Sequence, residues 1–126
     1  MKNFELEIKT KLTVTSEDID DIVTTAFEGG INYWCNKAEV VGDYLGEFAS
    51  DQISRGGVVL LYDAENDDVY ELTLEKVLKG IQKACEGRWA YDNEWCNGEV
   101  IDTYNVDAMV ADIIIQLALF DDVIFG

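Results

Sequence analysis

The sequence predicts a single α+β domain, 1–126, in which an antiparallel sheet packs with about three helices. Three observations carry this prediction. Apolar residues alternate with polar ones near the N-terminus, three later segments show helical spacing, and two short β-rich runs flank an acidic turn. A chain of 126 residues is also the usual size of one domain. A weak internal echo between 34–44 and 95–104 leaves duplication of a smaller unit open.

The first third of the chain predicts a strand, a helix and a second extended segment. Residues 4–14 predict one long, half-buried strand, because every second residue is apolar or threonine. Residues 15–18 combine hydroxyl and acidic side chains, which is typical of a helix start. The glycines at 29–30 predict the end of that helix. The next run, 31–41, is rich in aromatic and β-branched residues and predicts an extended chain.

The middle of the chain predicts a β-hairpin followed by a helix. A short helix over 45–53 is one interpretation of the ambiguous stretch before it. The β-rich runs 58–62 and 69–72 flank an acidic turn, which is typical of a hairpin. Thr73 then predicts the cap of a helix that ends at Gly87.

The last part of the chain predicts one more helix and a terminal strand. Asn105 is the expected cap, and the apolar residues after it recur at the spacing of a buried helix face. Asp121 and Asp122 predict the end of this helix. The apolar run 123–125 is expected to form a short strand.

The charge of the chain argues against general nucleic-acid binding. The net charge is −17, from 26 acidic and 9 basic residues, and no Lys or Arg follows Arg88. Cations are needed to replace the counterions of phosphates, so we expect no direct binding of nucleic acid. Two interpretations stay open: the acidity serves solubility, or it imitates nucleic acid and occupies a basic partner protein.

Composition argues against catalysis and against a secreted protein. The chain lacks histidine, the commonest general base and metal ligand, so we expect no enzyme activity, no metal and no cofactor. Cys35, Cys85 and Cys96 form an odd set without ligand-type spacing, which predicts buried free thiols. The N-terminus lacks the pattern of a signal peptide, and no apolar run is long enough to span a membrane. We therefore expect a cytoplasmic protein.

One acidic segment imitates a calcium loop. Asp63, Glu65 and Asp67 match the opening of such a loop. However, Asp68 stands where glycine is required, and Leu74 stands where the bidentate glutamate is required. The segment is therefore predicted to be a solvated hairpin tip.

Two segments are candidate ligand-binding sites. Arg55, Gly56 and Gly57 could form an anion site, since glycines let backbone N–H groups turn towards a phosphate and arginine adds a forked contact. The alternative is a plain loop with its arginine paired to an acid. The second segment carries side chains that can stack on a purine or bond to a base edge, although aromatic residues equally close cores and dimer interfaces. Its candidate residues are Arg88, Trp89, Tyr91, Asn93 and Trp95.

Several stretches resemble small phage and prophage proteins of Clostridia-like gut bacteria. They are Glu28-Gly29-Gly30-Ile31, Tyr33-Trp34-Cys35, Glu39-Val40-Val41-Gly42-Asp43-Tyr44, Gln52-Ile53-Ser54-Arg55-Gly56-Gly57, Leu72-Thr73-Leu74-Glu75-Lys76 and Ile115-Gln116-Leu117-Ala118-Leu119-Phe120 with Val123-Ile124-Phe125-Gly126. Within that group the chain resembles the first Thoeris anti-defence family, whose members are phage-encoded sponges. The resemblance implies an oligomer that sequesters a cyclic ADP-ribose signal without cleaving it, in pockets between protomers.

Two functions follow as expectations. The first is an immune-evasion sponge that acts in the host bacterial cytoplasm during infection, binds a small cyclic nucleotide and forms a homodimer or higher homo-oligomer. The second is an acidic DNA mimic that inhibits a CRISPR or restriction nuclease. Both act by occupying a partner, and neither involves a membrane.

Overall fold

Two antiparallel sheets and three α-helices form the regular structure of residues 2–7, 11–87, 94–96 and 99–126, the part that this computed structural model describes. One sheet pairs β1 (Asn3–Glu7) with β2 (Lys11–Thr15), and the other has the order β3 (Cys35–Val40), β4 (Val59–Asp63), β5 (Val69–Leu72). The helices are α1 (Ser16–Thr25), α2 (Leu74–Glu86) and α3 (Ala108–Phe120). The predicted α+β class is therefore confirmed. None of the described helices has the length and apolar content that a membrane crossing needs.

The predicted long N-terminal strand is two strands of a hairpin. Phe4 lies opposite Val14, and Leu6 lies opposite Leu12. Each pair joins two even-numbered or two odd-numbered positions, so the alternation of apolar residues continues in phase from one strand into the next. A period-two pattern therefore cannot reveal this reversal of the chain.

The start of α1 is as predicted. The Thr15 hydroxyl accepts from the Asp18 N–H at 3.1 Å, and the Asp18 carboxylate accepts from the Thr15 N–H at 2.9 Å. A π turn, Ala26–Gly30, extends the helix to the predicted glycine pair. A Cβ at Gly30 would lie 2.6 Å from the Ala108 carbonyl oxygen, so glycine is needed where the π turn meets α3.

The middle segments agree with prediction in part. The hairpin of β4 and β5 and the Thr73 cap of α2 are confirmed. Only 35–40 of the predicted extended run 31–41 forms a strand. The short helix predicted for 45–53 is instead two 3₁₀ turns, Ala49–Asp51 and Ile53–Arg55.

The two segments of the internal echo differ in secondary structure. The first contains β3, whereas 3₁₀ turns occur at 94–96 and 103–105 in the second.

Helix α3 lies at the centre of the core. Its residues 110–118 are buried on all sides, whereas surface helices bury one face. Its cap is Asp107 and not the predicted Asn105, because the Asp107 carboxylate accepts from the Val110 N–H at 2.9 Å. Asp121 ends the helix in the left-handed conformation, with φ at 62°. Residues 123–125 do not form the predicted strand.

Candidate functional site

The Ser54–Gly57 loop does not present free N–H groups to an anion. The Gly56 N–H donates to the Ile53 carbonyl at 3.1 Å, and the Gly57 N–H donates to the Gln52 carbonyl at 2.8 Å. Gly56 has φ at 85°, which ends the 3₁₀ turn before it. The N–H groups of both glycines are therefore bonded within the turn, in contrast to the predicted anion site, where they would bind a phosphate.

Arg55 is compensated by neighbouring acceptors. Its guanidinium donates to the Asp51 carbonyl at 2.8 Å and lies 3.6 Å from the Asp20 carboxylate. Asp20 also accepts from the Ser54 hydroxyl at 2.5 Å. This arrangement matches the alternative considered for the sequence, a loop whose arginine pairs with an acid.

The aromatic segment divides between the core and residues outside the described structure. Trp95 is only 1% exposed, so neither of its faces is free to stack on a purine, and that prediction is wrong. It belongs to the core, as the alternative interpretation held. The predicted ligand contacts of Arg88, Trp89, Tyr91 and Asn93 fall outside the described residues and stay predictions.

The cysteines are not three free thiols. Cys85, near the end of α2, forms a disulfide with Cys96, and their Cα atoms lie 6.0 Å apart. Cys35 is the free, buried cysteine of the predicted set, and burial raises the pKa of its thiol. An odd count of cysteines leaves room for one pair and one free thiol, so the count alone could not decide the matter.

The hairpin tip does not keep all of its acids in solvent. Asp63 is buried, and its carboxylate accepts from the Tyr70 hydroxyl at 2.8 Å and from the Glu65 N–H at 2.9 Å. These hydrogen bonds lower the pKa of Asp63, and the bond from the Glu65 N–H has the largest effect. Glu65, Asp67 and Asp68 are exposed, as predicted for a solvated tip. Within the described ranges, no group of three or more Cys, Asp or Glu is placed to hold a metal ion.

Sequence reasoning missed an acidic groove beside α1, which we call the α1 groove. It has a volume of about 520 Å³. Its acidic lining is Asp20, Asp21, Glu28 and Asp51, and its aromatic lining is Phe27 and Phe48. The sequence signal for one wall was the spacing of acids along α1, but nothing local placed 48–51 opposite them.

A second hollow continues the α1 groove along the helix. It has a volume of about 430 Å³ and shares Asp21 and Thr24 with the first. Glu17 adds a further carboxylate, and Tyr104, which is fully exposed, forms its far side. The exposed side of α1 is thus a continuous acidic surface between two exposed aromatic rings, those of Tyr104 and Phe48.

A different carboxylate, Asp112, is buried inside the core. It accepts from the Tyr33 hydroxyl at 2.6 Å, from Trp34 Nε1 at 2.8 Å and from Gln116 Nε2 at 2.9 Å. Gln116 in turn accepts from the N–H groups of Ile124 and Phe125. We call Tyr33, Trp34, Asp112, Gln116 and Phe125 the Asp112 cluster. The hydrogen bonds of this cluster tie the C-terminal residues to α3, and their donors are uncharged.

Tyr33 and the C-terminal residues complete the environment of Asp112. Burial, followed by the hydrogen bond and the charge of Asp112, raises the pKa of Tyr33 to about 12. The Phe125 ring stacks on Trp34 with centroids 4.9 Å apart. Every acceptor oxygen of Asp112 is thus engaged within the fold, which favours a structural role for this carboxylate.

Comparison of the chain with protein-family models, with curated proteins and with solved structures found no match.

Proposed function

We propose that this chain acts by binding a cationic partner, namely a basic protein whose nucleic-acid-binding surface it occupies. The observation that carries the proposal is the α1 groove, where four carboxylates line one hollow and Arg55 pairs with only one of them, Asp20. The net charge of −17 adds a long-range attraction for basic proteins.

Five lysines whose side chains the structure describes support this interpretation, because they are engaged elsewhere. Lys79 and Lys83 pair with Asp121, and Lys37 pairs with Glu39. Lys76 donates to a backbone carbonyl, and the Lys2 ammonium lies over the Phe4 ring. A hollow lined by one sign of charge focuses its field on an approaching partner of the opposite sign. The same field would repel phosphates and anionic membranes from the α1 groove.

The experiment measures how well the chain displaces a labelled DNA duplex from protamine, an arginine-rich DNA-binding protein, over a range of salt concentrations. We expect displacement that weakens steeply as salt rises. The groove variant is Asp21→Asn with Glu28→Gln. Its matched control, Asp67→Asn with Glu71→Gln, removes the same charge from exposed positions of the β4–β5 hairpin.

A larger loss of displacement in the groove variant than in the control is the expected result. Equal losses would mean that only total charge matters, and the α1 groove would then not be the binding site. Absence of displacement at low salt would overturn the proposal as a whole.

Nucleotide sequestration is a second proposal, supported by one observation. The Cys85–Cys96 disulfide joins the two ends of the segment that contains Arg88, Trp89 and Asn93. A ligand that binds only the folded chain raises its melting temperature. We expect cyclic ADP-ribose to raise the Tm of the oxidised chain, and Arg88→Ala to remove that rise. Surface lysine Lys76→Ala is the control, and an unchanged Tm with the nucleotide would contradict this proposal.

A further inference from the structure

We propose that residues 41–48, here called the 41–48 loop, form an apolar docking surface for a segment of the basic partner that carries both apolar and cationic side chains. This inference rests on the proposed function and names the part of the partner that binds. Its main evidence is separate from the α1 groove, although Phe48 and Asp51 belong to both.

The 41–48 loop exposes an unusual amount of apolar side chain. The exposed fractions are 50% for Val41, 60% for Tyr44, 52% for Leu45 and 61% for Phe48. Single exposed apolar residues are ordinary, but four within eight residues make a patch typical of an interaction site. Aromatic side chains such as Tyr44 and Phe48 are also enriched where interfaces concentrate their binding energy.

The loop backbone is held in place from below. Gln52 is fully buried, its Oε1 accepts from the Leu45 N–H, and its Nε2 donates to the Phe48 carbonyl. The Asp51 carboxylate accepts from the Phe48 N–H at 2.9 Å. A buried amide is costly unless it is bonded, and here both of its ends bond the loop. The apolar side chains are therefore presented by an ordered backbone, which lowers the entropy lost on binding.

Charge complementarity identifies the occupant. Asp43 and Glu47 lie within the loop and Asp51 lies three residues after it, and the acids of the α1 groove continue from Phe48. A second copy of this chain would bring a further net charge of −17 to the same place. An anionic membrane would meet the same repulsion. A protein segment with Lys or Arg around an apolar stripe would bury the stripe against the exposed apolar side chains of the loop. Its cations would pair with the surrounding acids.

The test uses two synthetic probes, an amphipathic helical peptide of lysine and leucine and an oligolysine of equal charge. Their affinities for the intact protein are measured by calorimetry. We expect the amphipathic peptide to bind more tightly. The variant Tyr44→Ala with Phe48→Ala should weaken it by about tenfold or more, because aromatic anchors dominate such interfaces. The loop bonds use backbone atoms of Phe48, so they persist in this variant.

Two further variants keep the outcomes distinct. Val100→Ala with Met109→Ala removes exposed apolar side chains elsewhere and should leave both affinities unchanged. A second test variant, Gln52→Ala, keeps Tyr44 and Phe48 but removes two bonds that hold the loop backbone, and should weaken the binding of the amphipathic peptide alone.

Each remaining outcome has one meaning. Equal binding of the two peptides, or equal loss from the Tyr44/Phe48 and Val100/Met109 variants, would overturn the docking surface and leave the proposed function standing. Failure of both peptides to bind at low salt would overturn both. Concentration-dependent dimerisation that the Tyr44/Phe48 variant abolishes would replace the basic partner by a second copy.

Discussion

The Asp112 cluster and the α1 groove use the same chemical group in opposite ways. Asp112 is 7% exposed and receives hydrogen bonds from three neutral donors, the buried Trp34 and Gln116 and the half-exposed Tyr33. The α1 groove holds four carboxylates at the surface. A carboxylate whose oxygens accept hydrogen bonds from the surrounding core stabilises the fold. A carboxylate whose oxygens still face solvent can bind a partner.

The difference has an energetic cause. Inside the core the effective dielectric is low, so losing a donor or acceptor costs the full desolvation of the group that remains. At the surface, water and salt screen each charge over about 8–10 Å, and single surface pairs contribute little. The fold should therefore depend strongly on Asp112 and hardly on the groove acids, whereas binding should show the reverse.

The largest effect is expected from Asp112→Ala. This change leaves the buried Trp34 N–H and the Tyr33 hydroxyl without their acceptor and removes one of the acceptors of the Gln116 amide. We expect the free energy of unfolding in urea to fall by about 3 kcal/mol or more. The control Glu28→Ala should change it by less than about 0.5 kcal/mol. Similar values for the two variants would contradict the structural role of Asp112.

The next effect concerns the C-terminal side of the same cluster. Phe125→Ala removes the ring that stacks on Trp34, while the Phe125 N–H keeps its bond to Gln116. Loss of one half-buried aromatic contact should lower the free energy of unfolding by about 2 kcal/mol. Trp34 fluorescence should change with it, and Ile124→Ala, which removes a more exposed side chain, is the control. An unchanged denaturation curve would show that the stack contributes nothing.

Sequence reasoning recovered the features that depend on near neighbours. The caps at Thr15 and Thr73 and the end of α3 at Asp121 each depend on residues within a turn of the chain, and all three were predicted. The N-terminal hairpin was missed because its pairing keeps the alternation in phase.

The Asp112 cluster and the α1 groove both depend on contacts that are distant in sequence. Tyr33 and Asp112 are 79 positions apart, so no local pattern could join them. The acids of α1 were visible at helical spacing, but the facing turn at Phe48 was predicted as part of a helix. The prediction for Arg55 depended on the glycines next to it, but the carboxylate that pairs with it belongs to Asp20, which lies 35 residues earlier in the sequence.

A smaller effect on stability is expected at alkaline pH. The pKa values of Tyr33 and Tyr70 are each raised from 10.0 to about 12, in both cases mainly by burial and then by an acceptor carboxylate. The unfolded chain therefore loses these protons first. The contribution of these two tyrosines to stability should be fully present below pH 10 and decline as pH rises towards 12.

The check is a series of urea denaturations between those pH values, with tyrosinate absorbance as a second readout. Tyr70→Phe should reduce the decline, since its bond to Asp63 is then absent at every pH. Tyr104→Phe, at a fully exposed position, is the control and should leave the decline unchanged. A decline that is as steep in Tyr70→Phe as in the unaltered chain would contradict the contribution of Tyr70.

The smallest effect on stability is expected where the effect on binding is greatest. Asp21→Asn with Glu28→Gln should leave the free energy of unfolding within about 0.5 kcal/mol, because both acids are exposed and Asp21 keeps an oxygen that can accept from Thr103. Removal of two like charges can even stabilise a chain of net charge −17 slightly. The same variant should flatten the salt dependence of binding to protamine. If it instead unfolded the chain as Asp112→Ala is expected to do, the α1 groove would be part of the scaffold, and the contrast between the two regions would be lost.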